Sequence, residues 1–432
     1  MGLVVAKFGG SSVADAASIR RVAKRVVDTK KAGNDVVVVV SAMGDTTDEL
    51  LDLAHQVSAN PPGREMDMLL TSGERISMAL LAMAINDLGM EARSYTGSQA
   101  GLITDSSHGK ARIVDVTPDR IQQAISENAI PIIAGFQGVA RETKDITTLG
   151  RGGSDLTAVA IACALQADVC EIYTDVDGIF SADPRIAPKA RQVPRITYDE
   201  MMELAAAGAK VLHLRCVEYA KRFNLPIHVR SSFSEKEGTF VIADLADQSQ
   251  LVKLSKQGAV MEQPIIAGVA HDLGDAKITV VGVPDRPGMA AAIFQAIADS
   301  GVNMDMIVQN VSASGATATD LSFTVPRADA AKAELQLRKI QADLQFKDVE
   351  TDENIAKVSL VGAGMRSHPG VSATFFKAIA AAGVNVEMIS TSEIRISVVI
   401  RAEDAKTCVE AVHSAFGLDA DGEAVVYGGT GR

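Results

Sequence analysis

The C-terminal third of the chain contains one series of motifs twice, and this repeat limits the possible folds more than any other feature. In each copy, an apolar run is followed by a Pro-Gly pair, a helix pattern, a Gly-Val-Asn turn and a second apolar run. The matching stretches are 278–282, 286–288 and 301–307 in the first copy, and 358–362, 368–370 and 383–389 in the second. Because proline suits the first turn of a helix, each Pro-Gly pair marks a helix start. The repeat predicts a duplicated domain.

Each copy continues with one more strand pattern and one more helix pattern. These lie at 318–325 and 328–342 in the first copy, and at 394–400 and 403–416 in the second. The order in each copy is βαββαβ, which is the arrangement of ferredoxin-like domains. The final strand of the second copy must then come from 424–427. An extra apolar run at 264–270 could join either sheet.

Residues 1–243 follow a different pattern, in which short β-branched runs alternate with longer amphipathic stretches. The predicted strands are 3–8, 35–41, 92–95, 131–134, 170–174 and 226–230. The predicted helices are 15–31, 45–57, 66–88, 117–127, 153–166 and 198–222. Continuous apolar strands between helices indicate a mostly parallel sheet covered on both faces, which is a three-layer α/β domain. The chain is thus divided into an α/β domain at 1–245, a polar linker at 246–262 and repeat domains at 263–352 and 353–432.

The charge and the cysteines narrow the class of protein. The net charge is −12 and no basic block is present, which argues against nucleic acid and anionic membranes as partners. The N-terminus enters a strand pattern without the architecture of a signal peptide, and no uncharged apolar run is long enough to span a membrane. The cysteines, which show no paired spacing, are Cys163, Cys170, Cys216 and Cys408. Reduced, mostly buried thiols in a cytoplasmic protein are expected.

A glycine pair follows the first predicted strand and offers an anion site. The sequence there is Lys7-Phe8-Gly9-Gly10-Ser11. Glycines let the backbone approach an anion closely, and the N-terminus of the next helix directs free N–H groups toward it. Lys7 adds a mobile positive charge suited to a polyphosphate. The alternative is a plain tight turn, and the motif is not the GxxxxGK[ST] phosphate loop.

A second glycine-rich loop precedes a long alanine-rich helix pattern. It contains Arg151, Gly152, Gly153, Ser154 and Asp155. An arginine and flexible glycines at a helix N-terminus favour the binding of an oxyanion. Asp155 alone is better explained as a capping carboxylate, but its position beside Arg151 favours an oxyanion site.

Three aspartates lie within nine residues after the strand predicted at 170–174. Asp175, Asp177 and Asp183 resemble a cation loop, but the glutamate that an EF-hand requires at its twelfth position is absent. We interpret this loop as a turn that hydrogen-bonds a ribose and a purine. Lys210 lies in an otherwise apolar stretch and needs an anionic partner.

Glu74 begins a helix pattern rich in methionine and leucine. Its carboxylate could receive the ammonium group of a ligand. A capped helix start explains the same spacing equally well. The histidines of the chain form no cluster with metal-ligand spacing.

Five motifs occur in an order that carries a clear resemblance. They are Lys-Phe-Gly-Gly-Ser-Ser at 7–12, Ser-Ala-Met-Gly-Asp-Thr-Thr at 41–47, Ser-Gly-Glu-Arg at 72–75, Gly-Arg-Gly-Gly-Ser-Asp at 150–155 and Tyr-Thr-Asp-Val-Asp-Gly-Ile at 173–179. Together they resemble the aspartokinases, which phosphorylate L-aspartate with ATP and belong to the amino-acid-kinase superfamily. The duplicated C-terminal module resembles the paired ACT domains of that family. The short second motif and the compact linker are most similar to the actinobacterial type that lysine and threonine regulate jointly.

The resemblance implies an amino-acid-kinase fold followed by two ACT domains, with catalytic roles for Lys7 and for Asp155, which would orient Lys7. The implied ATP-binding residues are Lys7, Phe8, Gly9, Gly10, Ser11, Tyr173, Thr174, Asp175, Asp177, Ile179, Phe180, Ser181, Ala182, Asp183, Pro184, Arg185 and Lys210. The implied aspartate-binding residues are Ser41, Thr47, Glu74, Arg151, Gly152, Gly153 and Ser154. ATP would act with Mg²⁺, which would be held mainly through the nucleotide phosphates, and no residue is assigned as its direct ligand.

The resemblance also implies feedback inhibition by lysine and threonine of an enzyme that begins lysine, threonine and methionine synthesis. The implied effector residues are Asp285, Gly288, Met289, Ala290, Asn303, Met304, Asp305 and Gln309 of one copy, which would face Val371, Ser372, Asn385, Val386, Ser392 and Glu393 in the second copy of a neighbouring subunit. A homo-oligomer is expected, or an α2β2 assembly whose regulatory subunit begins at Met261. Two other functions fit less well: another acylphosphate-forming amino-acid kinase, and an amino-acid sensor without catalytic activity.

Overall fold

The computed structural model describes residues 2–243, 266–310, 318–363, 365, 368 and 370–427. The predicted linker at 246–262 and the possible internal start at Met261 lie outside the described residues. The described part of the chain forms one eight-stranded sheet and three four-stranded sheets.

The N-terminal half is built on the eight-stranded sheet. The strands of this half are β1 (Leu3–Phe8), β2 (Asp35–Val40), β3 (Ala92–Tyr95), β4 (Leu102–Thr104), β5 (Ile113–Val116), β6 (Ile130–Ala134), β7 (Gln137–Ala140), β8 (Ile146–Thr148), β9 (Val169–Thr174), β10 (Arg195–Thr197), β11 (Ile227–Ser231) and β12 (Thr239–Ile242). The large sheet has the order β10-β12-β11-β9-β1-β2-β6-β3, and its β11–β12 pair is antiparallel while the other neighbours run parallel. The valine run of β2 is buried from Val36 to Val40, as expected for a sheet covered on both faces.

Helices pack on both faces of this sheet. The helices of this half are α1 (Ala16–Lys31), α2 (Thr46–Val57), α3 (Gly63–Leu70), α4 (Ser72–Asp87), α5 (Asp119–Ser126), α6 (Gly153–Ala164), α7 (Tyr198–Ala206) and α8 (Leu214–Phe223), with a 3-10 helix at Gly10–Val13. One apolar cluster joins α1 and α4 to β2, and a second joins α6, α7 and α8 to the opposite face. The predicted three-layer α/β fold is confirmed.

Two predicted helices are each divided in the structure. Thr71 separates α3 from α4, and the helix predicted at 198–222 becomes α7 and α8. Gly208 explains the second break, because its φ of +106° is one that residues with side chains rarely adopt. A Cβ at this position would lie 2.2 Å from the carbonyl oxygen of His271. Glycine therefore lets this turn pass directly against a strand from the C-terminal half.

A small sheet in the order β5-β4-β7-β8 was not predicted. Its strands are only three or four residues long, which is too short for a clear alternating pattern. Asp67 of α3 is fully buried and accepts a hydrogen bond of 2.5 Å from the Thr148 hydroxyl in β8. This contact ties α3 to the small sheet.

The C-terminal half forms two antiparallel sheets. Its strands are β13 (Gly268–Asp272), β14 (Asp275–Pro284), β15 (Asp305–Asn310), β16 (Ala318–Pro326), β17 (Asp348–Asp352), β18 (Ile355–Val361), β19 (Met388–Thr391) and β20 (Arg395–Arg401). Its helices are α9 (Met289–Asp299), α10 (Ala330–Leu344), α11 (Gly370–Ala381) and α12 (Ala405–Ala415), with 3-10 turns at Arg327–Asp329 and Ala402–Asp404. The first copy runs β14-α9-β15-β16-α10-β17 with the sheet order β15-β16-β14-β17. The predicted βαββαβ order is confirmed for this copy.

The fourth strand of the second sheet does not come from 424–427, and that prediction was wrong. β13 fills this place by pairing antiparallel with β18, in the order β13-β18-β20-β19. Because β13 covers the edge of β18, no unpaired backbone groups are left there for a later segment. The range 263–352 thus gives its first strand to the second sheet, and the two sheets are not separated by a single cut in the chain.

The two repeat domains of one chain contact each other through reciprocal ion pairs. Lys277 of β14 contacts Glu387 of the second copy, and Lys357 of β18 places its Nζ 3.1 Å from an oxygen of Asp305 in the first. The two lysines occupy equivalent positions in the repeat, as do the two acidic residues. A small apolar cluster from β15, β18, β19 and β20 lies between the copies. Asp305, which was predicted to receive an effector, is already paired with a lysine of its own chain.

The cysteines behave as predicted. All four are free thiols, and Cys170, Cys216 and Cys408 are buried. Burial raises the pKa of Cys163 and of Cys408 to about 12. These two thiols are therefore protonated at neutral pH and unreactive.

One apolar helical stretch, Gly63–Asp87, is long enough by length and composition to cross a membrane. This finding holds for the described part of the chain, and half of the most apolar part of this stretch is buried. Leu81 and Ile85 pack on the large sheet, so α4 is a core helix of the α/β domain.

Candidate active site

An ion pair joins the end of β1 to the start of α6. Lys7 places its Nζ 2.5 Å from Oδ1 of Asp155, and both side chains are 12 % exposed. Water screens a pair this deeply buried far less than it screens a surface pair. Lys7 lies near the carboxyl end of β1, which is the edge where ligands bind in parallel α/β sheets.

Gly10 allows two loops to pass very close to each other beside this pair. A Cβ on Gly10 would lie 2.9 Å from the carbonyl oxygen of Gly44 and 3.1 Å from that of Ala42. The Gly44 N–H also donates a hydrogen bond of 3.1 Å to the Gly10 carbonyl. A side chain at position 10 would therefore force the loops apart.

A cavity of about 740 Å³ opens at this edge of the sheet. The predicted site residues that line it are Gly9, Gly10, Ser11, Arg151, Thr174, Asp175, Ile179, Phe180, Ala182, Asp183, Pro184, Arg185 and Lys210. Small-molecule sites usually have volumes of roughly 300–1,000 Å³. The fold thus brings together the glycine pair at 9–10, the arginine loop at 151–155 and the aspartate loop, which we define as residues 175–194 between β9 and β10. They meet at one cavity of suitable size for a nucleotide.

Polar contacts fix the aspartate loop where it lines the cavity. Arg185 Nη2 lies 3.0 Å from an oxygen of Asp175, and the Arg185 N–H donates to Asp183 at 2.9 Å. The Thr174 hydroxyl donates to the other oxygen of Asp175 at 3.0 Å. These side chains offer donors and acceptors to a ribose or a phosphate.

Besides Lys7, three side chains predicted to contact ATP lie outside the lining of the cavity. Phe8 and Tyr173 stack with ring centroids 4.7 Å apart, and both are buried. Asp177 is 2 % exposed and accepts hydrogen bonds from Ser234 at 2.6 Å and from Lys236 at 2.8 Å. Phe8 and Tyr173 belong to the core between the sheet and its helices, and Asp177 is bound by Ser234 and Lys236, so none of the three lines the cavity as predicted.

Ser181 likewise turns away from the cavity, toward the second repeat domain. Its hydroxyl lies 2.8 Å from Nε2 of His413 in α12 and accepts a hydrogen bond from the Arg191 N–H. Its carbonyl accepts a hydrogen bond of 2.7 Å from the N–H of Val269 in β13. The role of Ser181 is to join the aspartate loop to the C-terminal half.

Glu74 has a buried carboxylate oxygen without a partner. The residue is 3 % exposed, its Oε1 accepts a hydrogen bond of 3.2 Å from the Ala42 N–H, and its Oε2 has no hydrogen-bond partner among the described residues. Burial raises the pKa of Glu74 from 4.5 to about 7. A buried charge without a partner is unfavourable, so a cation that reached Oε2 would stabilise the ionised form.

The remaining predicted aspartate-binding residues do not line the cavity. Ser41 follows β2, Thr47 lies in the first turn of α2, and Gly152, Gly153 and Ser154 begin α6. Gly152 has a φ of +72°, and a Cβ there would lie 2.4 Å from the Cβ of His213. Of the predicted aspartate-binding set, Arg151 is the member that lines the cavity.

The site offers no protein cage for a metal ion. Across the described ranges, no group of three or more His, Cys, Asp or Glu side chains is placed to hold one. Asp155 is ion-paired with Lys7.

Two family models match the chain. The model of the amino acid kinase family matches residues 2–231, and the ACT domain model matches 278–340 and 358–416. An aspartokinase of Mycolicibacterium smegmatis is 61 % identical over 432 residues, which is 100 % of both chains. The chain belongs to the aspartokinase family. An aspartokinase of Corynebacterium glutamicum, 56 % identical over 100 % of both chains, agrees with this assignment.

Membership of this family makes the protein an enzyme with aspartate kinase activity. A crystal structure of aspartate kinase from Synechocystis has 43 % identity and a TM-score of 0.52, with 96 % of this chain and 69 % of that chain covered. Escherichia coli aspartokinase III, solved with aspartate and ADP, has a TM-score of 0.80 at 24 % identity, with 96 % and 99 % covered. The latter likeness concerns the fold alone.

The aspartokinase cavity also contains residues that sequence reasoning missed. Gly44, Asp45 and Asp48 line it, and the motif at 41–47 could have identified the first two. Other lining residues include Phe233 and, from the C-terminal half, Val269, Ala270, His271 and Tyr427. No local signal pointed to the residues of the C-terminal half, because a segment of one domain gives no sign in sequence that it borders the cavity of another.

The predicted effector residues lie at the ends of the two ACT sheets. Asp285, Asn303 and Gln309 are exposed in the first copy, and Gly288, with a φ of +94°, precedes α9. In the second copy, the Ser392 hydroxyl lies 3.5 Å from Glu203 of α7. The exposed members of the second copy are Ser372, Asn385, Ser392 and Glu393, whereas Val371 is buried.

Proposed function

We propose that the cavity binds ATP and L-aspartate together, and that the γ-phosphoryl group passes to the side-chain carboxylate to give 4-phospho-L-aspartate. The observation that carries this proposal is the unpartnered, buried Oε2 of Glu74. The other carboxylate oxygen of Glu74 accepts a hydrogen bond from Ala42, whose carbonyl lies close to Gly10 of the cavity lining. An amino acid with a free ammonium group and two carboxylates complements this carboxylate together with the charges of Lys7 and Arg151. The complex of the E. coli enzyme with aspartate and ADP is consistent with it.

In this proposal, each residue acts through charge and position. Lys7 and the amides of Gly9 and Gly10 hold the transferring phosphoryl group, and Asp155 orients Lys7 through their 2.5 Å contact. Phosphoryl transfer depends mainly on positioning and charge stabilisation. The carboxylate of aspartate is already an ionised nucleophile, so no general base is required.

We assign the α-carboxylate and the ammonium group of the substrate aspartate to two side chains of opposite charge. The planar guanidinium of Arg151 pairs with the α-carboxylate, a match of two parallel hydrogen bonds. Glu74 receives the ammonium group. Ser41, Thr47 and the turn at 152–154 complete the pocket around the substrate.

The nucleotide would lie against the aspartate loop and Lys210, which line the rest of the cavity. Thr174, Asp175 and Asp183 offer groups to the ribose, and Lys210 offers its charge to the phosphates. Bound together with ATP, Mg²⁺ would supply further neutralisation of phosphate charge beside Lys210.

We expect the Glu74→Gln variant to raise the KM for aspartate roughly tenfold to a hundredfold, because a charge-assisted hydrogen bond is lost. In the wild type, the KM for aspartate should rise as the pH falls below about 7, since the carboxyl then binds a proton. Steady-state kinetics from pH 6 to 8.5 measures both effects. Glu65→Gln, an exposed residue of α3, is the matched control. An unchanged KM for aspartate in Glu74→Gln would contradict the assignment.

Ionisation of Glu74, which should favour aspartate binding, should lower the stability of the protein without substrate. The folded protein holds the proton of Glu74 more tightly than the unfolded chain does, so the free energy of unfolding falls as the pH rises from 4.5 to about 7. Glu74→Gln removes this loss. Its melting temperature without substrate should therefore equal or exceed that of the wild type at pH 8, with a smaller difference at pH 5.

We also propose that the enzyme catalyses the first step of lysine, threonine and methionine synthesis in the cytoplasm. Lysine and threonine would inhibit it through its ACT domains. Backbone N–H groups at the starts of α9 and α11 can bind the carboxylate of an amino acid. The acidic residues that we assign to its ammonium group are Asp285 and Glu393, whereas Asp305 is paired with Lys357. The lysine complex of the E. coli enzyme is consistent with amino-acid inhibition in this family.

We expect Gln309→Ala, and separately Ser392→Phe, to keep uninhibited activity while the inhibition by lysine plus threonine weakens. An effector changes activity only by binding one state of the enzyme better than another. The assay compares the effector concentration for half inhibition in each variant with that of Gln122→Ala, an exposed position of the kinase domain. Variants as inhibitable as this control would place the effector site elsewhere.

Assembly through the ACT sheets is part of the same proposal. Exposed sheet edges are commonly covered by pairing with another sheet, so we expect at least a dimer. A shorter regulatory subunit that starts at Met261 would copurify with the full chain. Native mass spectrometry distinguishes a homo-oligomer from such a mixed assembly.

A further inference from the structure

The C-terminal segment of the chain runs along the aspartate loop of the kinase domain. Val426 forms an antiparallel bridge with Val176, and the Tyr427 N–H donates a hydrogen bond of 2.8 Å to the carbonyl of Asp175. Earlier in the segment, the N–H groups of Ala420 and Ala424 donate to the carbonyls of Lys189 and Pro188, each at 2.8 Å. The segment that was expected to complete an ACT sheet is instead paired with the loop that lines the nucleotide cavity.

The side chain of Tyr427 reaches the cavity itself. Its ring stacks on Phe233 with centroids 5.9 Å apart and an interplanar angle of 9°, and both rings line the cavity. Its hydroxyl donates to Oδ2 of the buried Asp177 at 3.3 Å. Tyr427 therefore contacts the aspartate loop on both sides of Val176, through its backbone at Asp175 and through its hydroxyl at Asp177.

These contacts matter because the aspartate loop has little regular structure of its own. Between the end of β9 at Thr174 and the start of β10 at Arg195, the chain forms turns and isolated bridges. Its apolar residues Ala182, Ala187 and Ala190 belong to the core of the second ACT domain. The position of Asp175 thus depends on contacts made by the C-terminal half.

We propose that Tyr427 is a nucleotide-positioning residue, and that its side chain forms part of one wall of the ATP site. The hydrogen bond to the Asp175 carbonyl and the contact with Asp177 hold the first turn of the loop, and the ring of Tyr427 borders the space that the nucleotide enters. This inference rests on the proposed placement of ATP in the cavity. It makes the nucleotide site a composite of the kinase domain and the end of the chain.

Kinetics of Tyr427 variants test the proposal. We expect Tyr427→Ala to raise the KM for ATP roughly tenfold, with less than about a twofold change in the KM for aspartate or in kcat. Tyr427→Phe keeps the ring and loses the hydroxyl, so its KM for ATP should lie between those of the wild type and Tyr427→Ala. Val425→Ala, an exposed neighbour outside the cavity lining, is the matched control. Melting temperatures show whether each variant is folded.

A fluorescence experiment gives a second readout, because the chain contains no tryptophan. Tyr427→Trp creates a single reporter at the proposed wall, and Phe223→Trp places one at an exposed position outside the cavity lining. Titration with ADP should change the emission of the first protein saturably and leave that of the second unchanged. Lys210→Ala serves as an independent test of where the nucleotide binds.

The outcomes separate this inference from the proposed function. A raised KM for ATP in Lys210→Ala, together with a normal KM in Tyr427→Ala and no response of Tyr427→Trp to ADP, would overturn the role of Tyr427 and leave the ATP site in place. A normal KM for ATP in both alanine variants would remove ATP from this cavity. A raised KM in both variants, with a saturable response at position 427, would support the composite site.

Discussion

Replacing Lys7 with alanine should lower kcat by ~10²–10³-fold, with much smaller changes in the KM for ATP and for aspartate. The Lys7 ammonium is 12 % exposed and lies 2.5 Å from Asp155, so it is oriented before charge develops on the transferring phosphoryl group. A contact that strengthens in the transition state affects kcat more than ground-state binding. Steady-state kinetics with both substrates varied measures this effect.

Two controls keep the Lys7 result interpretable. Lys31→Ala removes an exposed lysine at the end of α1 and should leave turnover unchanged. Because the substitution leaves Asp155 buried without its partner, the melting temperature of Lys7→Ala must be measured beside its activity, and Lys7→Arg offers a variant that keeps the charge. Near-normal turnover in folded Lys7→Ala protein would end the catalytic assignment.

Replacing Arg151 with alanine should raise the KM for aspartate by ~10²-fold, because two charge-assisted hydrogen bonds to the α-carboxylate are lost. Arg151 is exposed at the lining of the cavity, so its removal should leave the melting temperature nearly unchanged. Arg151→Lys keeps the charge without the planar fork and should give an intermediate KM. The measurement is the aspartate dependence of the rate at saturating ATP.

The matched control for this variant is Arg141→Ala, which removes a surface arginine paired with Asp115. It should behave as the wild type does. If Arg151→Ala and Arg141→Ala have the same KM for aspartate, the α-carboxylate is bound elsewhere.

Much of this architecture could be predicted from local patterns. The β-branched runs of the large sheet and the repeated Pro-Gly helix starts are signals within single elements, and both correspond to observed strands and helices. The glycine pair and the aspartate loop could be predicted as cavity segments because their residue types suit an anion and a ribose.

Pairings between distant segments could not be predicted in the same way. β13 and the segment 424–427 are both short apolar runs, and sequence alone does not show which of them covers the edge of β18. The direction of Asp177 depends on Ser234 and Lys236, more than fifty residues away. Long-range contacts of this kind decide which residues of a functional loop face the cavity.

The most direct test of the whole account is ATP-dependent formation of an acyl phosphate, trapped with hydroxylamine as aspartyl hydroxamate. The wild type should form the hydroxamate only when ATP and L-aspartate are both present, with one ADP released for each product. Lys7→Ala should form it at a rate lower by ~10²–10³-fold. Absence of hydroxamate with the folded wild type, or equal rates in the two proteins, would contradict aspartate phosphorylation at this site.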